Sequence, residues 1–306
     1  MVAFVDGPVR VSVPATSANL GPGFDSLGLA LSLRDRVEAE VVARGLEIEV
    51  SGPDAVPLDE SHLVVRSMRA AFDVLGEQPG GLRLRCTNVI PHARGLGSSS
   101  AAIVAGVALA RALVAGGSLV VDDDALFRLA ARLEGHPDNV APAFYGGFVI
   151  SGSEDGEFYA VRSTVDPRVT AVVFVPPAGV ETTVARGLLP EQVAHADAAA
   201  NSGRTALLVA ALAGQPEHLL RATRDYLHQD YREPAMPDSL ALVRSLRGDG
   251  IPAIVSGAGP TVLAFTNGPA SVAPSTLQSP KSLLRRAPAG WAAHHLSVDR
   301  DGVLLA

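Results

Sequence analysis

Alternating apolar and polar residues in the first half of the chain predict β-strands that each have one buried face. Residues 82–86, with the sequence LRLRC, are an example. The first of these strands is expected to end at Pro14, which has no backbone N–H to donate to a neighbouring strand. Strands are expected at residues 9–13, 29–33, 37–41, 46–50 and 81–90.

A second spacing, with apolar residues three or four positions apart, predicts helices. It covers residues 62–75 and stops at Gly76, a residue type that commonly ends helices. Further helices are predicted at residues 125–134, 181–189, 196–213, 218–227 and 238–247. Further strands are predicted at residues 148–151, 158–161, 169–175, 253–255, 262–265 and 296–298. With a boundary at Asp166-Pro167, the pattern predicts two domains, residues 1–165 and 166–306.

The most informative stretch is residues 91–115, PHARGLGSSSAAIVAGVALARALVA, in which a loop of small residues runs into an apolar helix that ends near Gly116. Residues 91–101 are called the Gly/Ser loop here. The first turn of a helix has unpaired N–H groups, and glycine lets an anion approach the backbone, so this arrangement suits a phosphate. It is not a Walker P-loop, because the one lysine of the chain, Lys281, lies far downstream. A tight turn with serine as the helix N-cap explains the loop alone about as well as the triphosphate site of a small-molecule kinase.

A second segment, residues 14–31 with the sequence PATSANLGPGFDSLGLAL, surrounds a few polar residues with small and apolar ones. The polar residues are Ser17, Asn19 and Asp25. A loop of about a dozen residues without secondary structure is more often functional than a short one. A plain connection between strands is the alternative.

A third segment, residues 134–147 with the sequence EGHPDNVAPAFYGG, places Glu134, His136, Asp138 and Asn139 in one turn. A charged turn is commonly just solvated. The apolar and aromatic residues around this one instead indicate that it folds against a core. One of its carboxylates would then suit Mg²⁺, which prefers one or two carboxylates together with phosphate oxygens and waters.

Composition narrows the class of protein. The formal charge of −7 argues against a nucleic-acid binder, and no apolar run reaches the about 18 residues of a membrane span. The N-terminus does not resemble a signal peptide. The single cysteine, Cys86, cannot form an internal disulfide, and eight histidines without nearby cysteines give no zinc signature. A cytoplasmic protein is expected, with a partly mobile Ser/Pro-rich stretch at residues 269–288.

Three separate segments together resemble the three motifs of the GHMP kinase superfamily, in the right order and over nearly the whole chain. They are residues 14–31, the sequence ARGLGSSSAA in the Gly/Ser loop, and VSGAGPTVLAF at residues 255–265. Within the superfamily, the first motif and the 134–147 segment are similar to those of homoserine kinases. The resemblance implies an α/β (α+β) fold, with an N-terminal domain like ribosomal protein S5 and a ferredoxin-like C-terminal domain. It implies transfer of the γ-phosphoryl group of ATP, with Mg²⁺, to the side-chain hydroxyl of L-homoserine, and a homodimer by analogy.

The resemblance also implies roles for individual residues. Ser98 or Ser99, with Glu134, would hold Mg²⁺. The phosphates would be bound by Pro91, His92, Ala93, Arg94, Gly95, Leu96, Gly97, Ser98, Ser99, Ser100 and Ala101. L-Homoserine would be bound by Asn19, Asp25, His136, Asn139, Thr182, Arg186, Arg232 and Gly259. Among these, the aspartate suits the ammonium group, and the two arginines suit the carboxylate, which a guanidinium can bind as a bidentate fork.

Direct parts in the transfer are expected for Arg186, Asn139 and Asp138. Phosphoryl transfer needs positioning and charge neutralisation more than covalent help. Asp138 and Asp25 are candidates for a general base, although the resemblance favours transfer of the hydroxyl proton to the γ-phosphate without one. Two other functions stay open. A kinase for a sugar or mevalonate-type alcohol would leave Asp25 and the arginines without charged partners, and a regulatory pseudokinase would not need an intact Glu134.

Overall fold

The computed structural model describes residues 3–267 and 277–305 of the chain. Its strands are β1 (Val9–Ala18), β2 (Leu27–Val42), β3 (Gly45–Ser51), β4 (Gly81–Thr87), β5 (Phe148–Glu154), β6 (Glu157–Ser163), β7 (Val169–Val175), β8 (Ala253–Val255), β9 (Val262–Asn267), β10 (Ala292–Ser297) and β11 (Leu304–Leu305). Its α-helices are α1 (Leu63–Leu75), α2 (Ser98–Leu113), α3 (Gly117–Val120), α4 (Asp123–Glu134), α5 (Pro137–Tyr145), α6 (Thr182–Gly187), α7 (His195–Gly214), α8 (Leu219–Ala222), α9 (Pro237–Gly248) and α10 (Pro280–Leu284). The predicted mixture of strands and helices is confirmed.

The larger sheet has seven strands within the described residues, in the order β11-β1-β2-β4-β3, with the β5–β6 hairpin attached to β2. Its neighbouring strands are antiparallel, apart from the parallel pair β3 and β4. The prediction that the first strand ends at Pro14 is wrong, because β1 continues to Ala18. The pairing of β1 with β2 shifts register between Pro14 and Ala15, and this irregularity accommodates a residue that cannot donate to the ladder.

Strand β2 is continuous, where two separate strands were predicted. Its charged residues 34–36 interrupt the apolar alternation, yet their backbone stays paired with β1. The buried carboxylate of Asp35 accepts hydrogen bonds from the N–H groups of Val89 and Ile90 at 2.6 and 2.9 Å. These contacts draw the chain out of the sheet after Thr87, so β4 is shorter than the predicted strand at 81–90.

Helices cover one face of this sheet. Helices α2 and α5 lie against β1 and β2, and α1 and α4 pack on α2. The opposite face carries ion pairs between neighbouring strands, such as Arg83 with Glu40 and Glu47 at 2.9 and 2.8 Å. One covered face and one solvated face explain the alternation read from the sequence. Cys86 lies on the covered side, and burial raises the pKa of its thiol to about 12.

The smaller sheet has four strands in the described part of the chain, in the order β10-β7-β9-β8, all antiparallel to their neighbours. In chain order, helices α6 to α9 lie between β7 and β8, and helix α10 lies between β9 and β10. This is the ferredoxin-like arrangement. All seven residues of β7 are buried, as expected for a strand covered on both faces. The fold class is therefore confirmed. The division at residue 166 stays a prediction. The last strand, β11, pairs with β1, so the end of the chain returns to the larger sheet.

Two helix predictions change in the structure. The helix expected at 218–227 is reduced to α8, because the Asp225 carboxylate accepts hydrogen bonds from the N–H groups of residues 227–229 and ends the helical path. The turn expected at 134–147 contains a helix, α5, whose first residue, Pro137, is favoured at that position.

Of the stretch expected to be partly mobile, residues 269–276 lie outside the described residues, and residues 280–284 form α10. Within residues 3–267 and 277–305, no helix combines the length and the apolar character needed to cross a membrane.

Candidate active site

The Gly/Ser loop enters helix α2 through Gly97, which has a φ of 70°. An added Cβ at Gly97 would collide with the Thr16 hydroxyl of β1, so both the backbone angle and the close approach favour glycine. The loop is also tied to β1 by a hydrogen bond of 3.0 Å from the N–H of Thr16 to the carbonyl of Leu96. These contacts place the N-terminus of the 16-residue helix α2 beside β1.

The three sequence motifs meet at this loop. The loop at residues 256–261, between β8 and β9, contributes Ser256, whose hydroxyl donates to the Gly95 carbonyl at 2.6 Å. The N–H of Gly257 donates to the carbonyl of Ala18 at 3.1 Å, and Asn19 Nδ2 donates to the carbonyl of Gly257 at 2.9 Å. The motifs therefore form one structural unit, although more than 200 residues separate the first from the third.

Glu134, the last residue of α4, faces the first turn of α2. Its Oε1 accepts hydrogen bonds from the hydroxyls of Ser99 and Ser100 at 2.6 and 2.7 Å. The structure thus brings together two of the three predicted metal ligands and adds the fully buried Ser100. One carboxylate beside hydroxyl groups and a helix N-terminus fits Mg²⁺ that also binds phosphate oxygens. In the described part of the chain, no group of three or more His, Cys, Asp and Glu side chains forms a metal cluster.

The start of α5 carries a chain of polar contacts. Asp138 is 2% exposed, and its Oδ1 accepts from His136 Nδ1 at 2.8 Å and from the Asn139 N–H at 3.0 Å. Asn139 Oδ1 in turn accepts from the Thr16 hydroxyl at 2.8 Å. Burial lowers the pKa of His136, but the hydrogen bond and charge of Asp138 and the charge of Glu134 outweigh it, so the net shift is upward.

The His136–Asp138 pair predicts a pH-dependent contribution to stability. A raised pKa in the folded state gives a contribution that is complete below the unfolded pKa of about 6.5 and is lost as the pH rises through the folded pKa. We therefore expect His136→Gln to lower the free energy of unfolding more at pH 6 than at pH 9. Urea unfolding of both proteins at both pH values measures the difference. His294→Gln, at an exposed histidine on β10, is the control, and equal effects of His136→Gln at the two pH values would contradict the prediction.

Two arginine side chains lie near the Phe24 ring on the other side of the site. Arg186 of α6 binds Asp25 with both terminal nitrogens, at 2.6 and 3.0 Å, and its guanidinium lies 5.5 Å from the Phe24 ring centre. Arg232 lies 5.7 Å from the same ring centre. It belongs to a 3₁₀ helix, Asp230–Ala235, and is 1% exposed.

The partners of Arg232 are neutral. It donates to the carbonyls of Ala185 and Gly257 at 3.3 and 3.0 Å and to His228 Nδ1 at 3.1 Å. His228 is uncharged, because burial lowers its pKa and its Nε2 donates to the carbonyl of Gly21. In the described segments, no carboxylate lies within ion-pair distance of Arg232. Burial, and then the charge of Arg186, lower its pKa to about 10, so it remains a cation at neutral pH.

Two adjoining cavities lie at the Gly/Ser loop. A small one of about 70 Å³ is lined by most of the predicted site residues: Asn19, Ala93, Gly95, Gly97, Ser98, Ser99, Glu134, His136, Asp138, Asn139, Thr182, Arg186 and Arg232. A larger one of about 390 Å³ shares four of these residues, namely Ala93, Ser98, Ser99 and Thr182, and adds His92 and Ala101. The structure therefore assembles predicted residues from segments that are far apart in the sequence.

Other predicted residues lie behind the cavity walls. Asp25 reaches the site through Arg186. Gly259 lies against Met236, while Gly257 and Ala258 line the small cavity in its place. The remaining residues of the Gly/Ser loop that line neither cavity are Pro91, Arg94, Leu96 and Ser100.

Sequence reasoning missed three contributors. Thr16 and Ser256 bind the loop, and their small hydroxyl side chains gave no signal beyond their places in the motifs. His62 lines the larger cavity, is 4% exposed, and has an Nδ1 without a hydrogen-bond partner among residues 3–267 and 277–305. The only signal for His62 in the sequence was its position, as a polar residue directly before the apolar residues of α1.

Comparisons with known proteins agree with this architecture. The family model for the GHMP kinases N terminal domain matches residues 62–147. A homoserine kinase of Streptomyces avermitilis is 55% identical over 302 residues, which are 98% of this chain and 96% of that protein. The crystal structure of a homoserine kinase from Cytophaga hutchinsonii superposes with a TM-score of 0.83 at 27% identity, covering 99% of each chain. Mevalonate kinase of L. major, at 16% identity and a TM-score of 0.70, covering 98% of this chain and 99% of that one, shares the fold.

Proposed function

Because the chain belongs to the homoserine kinase family of GHMP kinases, we propose that it transfers the γ-phosphoryl group of ATP to the side-chain hydroxyl of L-homoserine. The products are O-phospho-L-homoserine and ADP, and the reaction belongs to threonine biosynthesis. The resemblance noted in the three motifs is confirmed by the 55% identity over nearly the full length of a homoserine kinase. The roles of individual residues, Mg²⁺ and the homodimer are proposals.

The observation that carries the substrate proposal is the buried cation Arg232. A buried charge without a directly paired carboxylate is costly, and an anionic ligand would offset that cost. The carboxylate of an amino acid fits, since Arg232 lines the small cavity. Both oxygens of Asp25 are engaged by Arg186 and Asp25 lines neither cavity, so as the partner of the ammonium group it would exchange this ion pair for the substrate. A neutral sugar would leave this charge arrangement without a complement.

The larger cavity suits the nucleoside of ATP. It adjoins the Gly/Ser loop, so a nucleotide there would direct its phosphates toward the N-terminus of α2, where N–H groups and the helix dipole favour negative charge. Glu134, with the hydroxyls of Ser99 and Ser98, would hold Mg²⁺. When bound, the metal would neutralise charge on the β- and γ-phosphates.

We propose a direct transfer without a general base. The homoserine oxygen forms a bond to the γ-phosphorus, the bond to the bridging oxygen of ADP breaks, and the hydroxyl proton passes to a γ-phosphate oxygen. We assign Asp138 to holding His136 and the first turn of α5, since its Oδ1 accepts hydrogen bonds from both His136 and the Asn139 N–H. Asn139 has its Oδ1 occupied by Thr16, which leaves its Nδ2 to orient a ligand. Arg186 would neutralise charge on the transferred group.

An ADP-release assay tests the proposal. The purified protein with MgATP is given L-homoserine, L-serine, galactose or mevalonate. Turnover with L-homoserine alone is expected. Turnover with another alcohol alone would overturn the substrate assignment, and nucleotide binding without any turnover would favour a regulatory pseudokinase.

His62 provides a test of the nucleotide site. Burial, and then the charge of His92, lower the pKa of His62, so the ring is neutral at pH 7 and offers Nδ1 to a nucleobase. We expect His62→Ala to raise the KM for ATP by about 3- to 10-fold, the effect of one hydrogen bond, and to leave the KM for L-homoserine unchanged. The control is His195→Ala, at an exposed position of α7. Equal changes in both KM values would contradict the nucleobase contact.

A further inference from the structure

The side chain of Arg94 points away from the phosphate site. Although its main chain belongs to the Gly/Ser loop, Arg94 lines neither cavity. Its guanidinium donates to the carbonyls of Pro176, Pro177 and His92, at 3.2, 2.6 and 2.7 Å. Pro176 and Pro177 directly follow β7. Arg94 therefore connects the loop to the segment that leads from β7 to α6, called the 176–180 connection.

The main chains of the loop and the 176–180 connection also meet closely. The N–H of Val180 donates to the carbonyl of Ala93 at 3.0 Å. An added Cβ at Gly179 would lie 2.7 Å from that carbonyl oxygen and would collide with the Arg94 guanidinium. Ala93 itself has a φ of 52°, which is uncommon for a residue other than glycine and persists where surrounding contacts hold it. This junction is consequently built for close contact.

The two partners of the junction differ in how else they are held. The Gly/Ser loop has independent hydrogen bonds to β1 and to the 256–261 loop, including those of Leu96 and Gly95 described above. The 176–180 connection leads to Thr182, which lines both cavities, and then along α6 to Arg186, which lines the small cavity but not the larger one and binds Asp25. Loosening the junction should therefore displace α6 more than the loop.

We propose that Arg94 is a positioning residue, which fixes α6 relative to the Gly/Ser loop and so sets the amino-acid side of the site. The proposal rests on the proposed function, in which α6 contributes to L-homoserine binding. Arginine suits the task because its planar guanidinium presents five N–H donors in a fixed fork, whereas a lysine ammonium is a compact donor on a flexible stem. The three carbonyl acceptors come from two segments, and each one binds a different nitrogen of the guanidinium.

Steady-state kinetics with three variants test this. We expect Arg94→Met to raise the KM for L-homoserine by about tenfold and the KM for ATP by less than about twofold, with Arg94→Lys in between. Gly179→Ala should give the same split, because the added methyl group separates the same two segments. Arg83→Met, which removes a half-buried arginine with two ion pairs on the solvated face of the larger sheet, is the control and should change neither KM.

A second readout separates positioning from a general loss of stability. The double variant Arg94→Met/Gly179→Ala should be no worse than the poorer single variant, since both changes open one junction. Hydrogen exchange should become faster for amides of residues 178–187 in Arg94→Met and stay unchanged for residues 95–101. Equal changes in both KM values, additive effects, or unchanged exchange at 178–187 would overturn the proposal. A wild-type protein inactive on L-homoserine would instead refute the proposed function.

Discussion

Replacing Glu134 with glutamine is expected to lower kcat by about a hundredfold or more, with little change in the free energy of unfolding. Glutamine keeps the shape of the side chain, and its carbonyl oxygen can still accept from the hydroxyls of Ser99 and Ser100. What it loses is the negative charge. Since Mg²⁺ prefers charged oxygen ligands, a neutral amide would leave the charge of the transferred phosphoryl group less well compensated.

The measurement is kcat at saturating ATP and L-homoserine over a range of Mg²⁺ concentrations, together with calorimetric binding of ADP with and without Mg²⁺. In the wild type, Mg²⁺ should tighten ADP binding, and in Glu134→Gln this gain should be lost. Glu47→Gln, at an exposed glutamate of β3 that pairs with Arg83, is the matched control. Activity of Glu134→Gln within threefold of the wild type would exclude a role for this carboxylate in metal binding.

The sequence predicted those helices and strands in which the spacing of the apolar residues matches the spacing of the buried residues. Helix α1 begins and ends within a residue of its prediction, because its apolar face and Gly76, with a φ of 97°, are both local signals. The predictions were wrong where the role of a residue depends on contacts that form only in the folded chain. Charged residues 34–36 looked like a break in a strand, and Asp225 did not reveal that it would cap three backbone N–H groups. Such contacts depend on the folded arrangement, which periodicity does not contain.

The candidate site follows the same division. The motifs identified the polar residues that line the cavities, because small residues and isolated charges stand out against an apolar chain. They could not give the direction of a side chain. Arg94 is predicted among the phosphate-binding residues of the loop, and its guanidinium binds the 176–180 connection. The contact between Thr16 and Asn139, 123 residues apart, is another arrangement that only the fold reveals.

Arg232 combines both levels, since the family resemblance assigns it to the substrate carboxylate and the structure buries its charge among neutral hydrogen-bond partners. Removing one partner of a buried charge pair typically costs about 2–5 kcal/mol. We therefore expect Arg232→Met to lower kcat/KM for L-homoserine by about 30- to 5000-fold and to leave the KM for ATP nearly unchanged. The variant also removes one donor from the carbonyl of Ala185 and one from the carbonyl of Gly257, which keeps its bond from Asn19, and this should lower the free energy of unfolding by about 1–3 kcal/mol.

A substrate without the carboxylate separates these two effects. 3-Aminopropan-1-ol keeps the hydroxyl and the ammonium group of homoserine, so wild type and Arg232→Met should phosphorylate it at rates within about threefold of each other. Arg247→Met is the matched control variant, because Arg247 also donates to two main-chain carbonyls and burial also lowers its pKa, but it lines neither cavity. It should lose stability and keep its kcat/KM. If Arg232→Met lost as much activity on the amino alcohol as on L-homoserine, the guanidinium would be holding the site together and not binding the carboxylate.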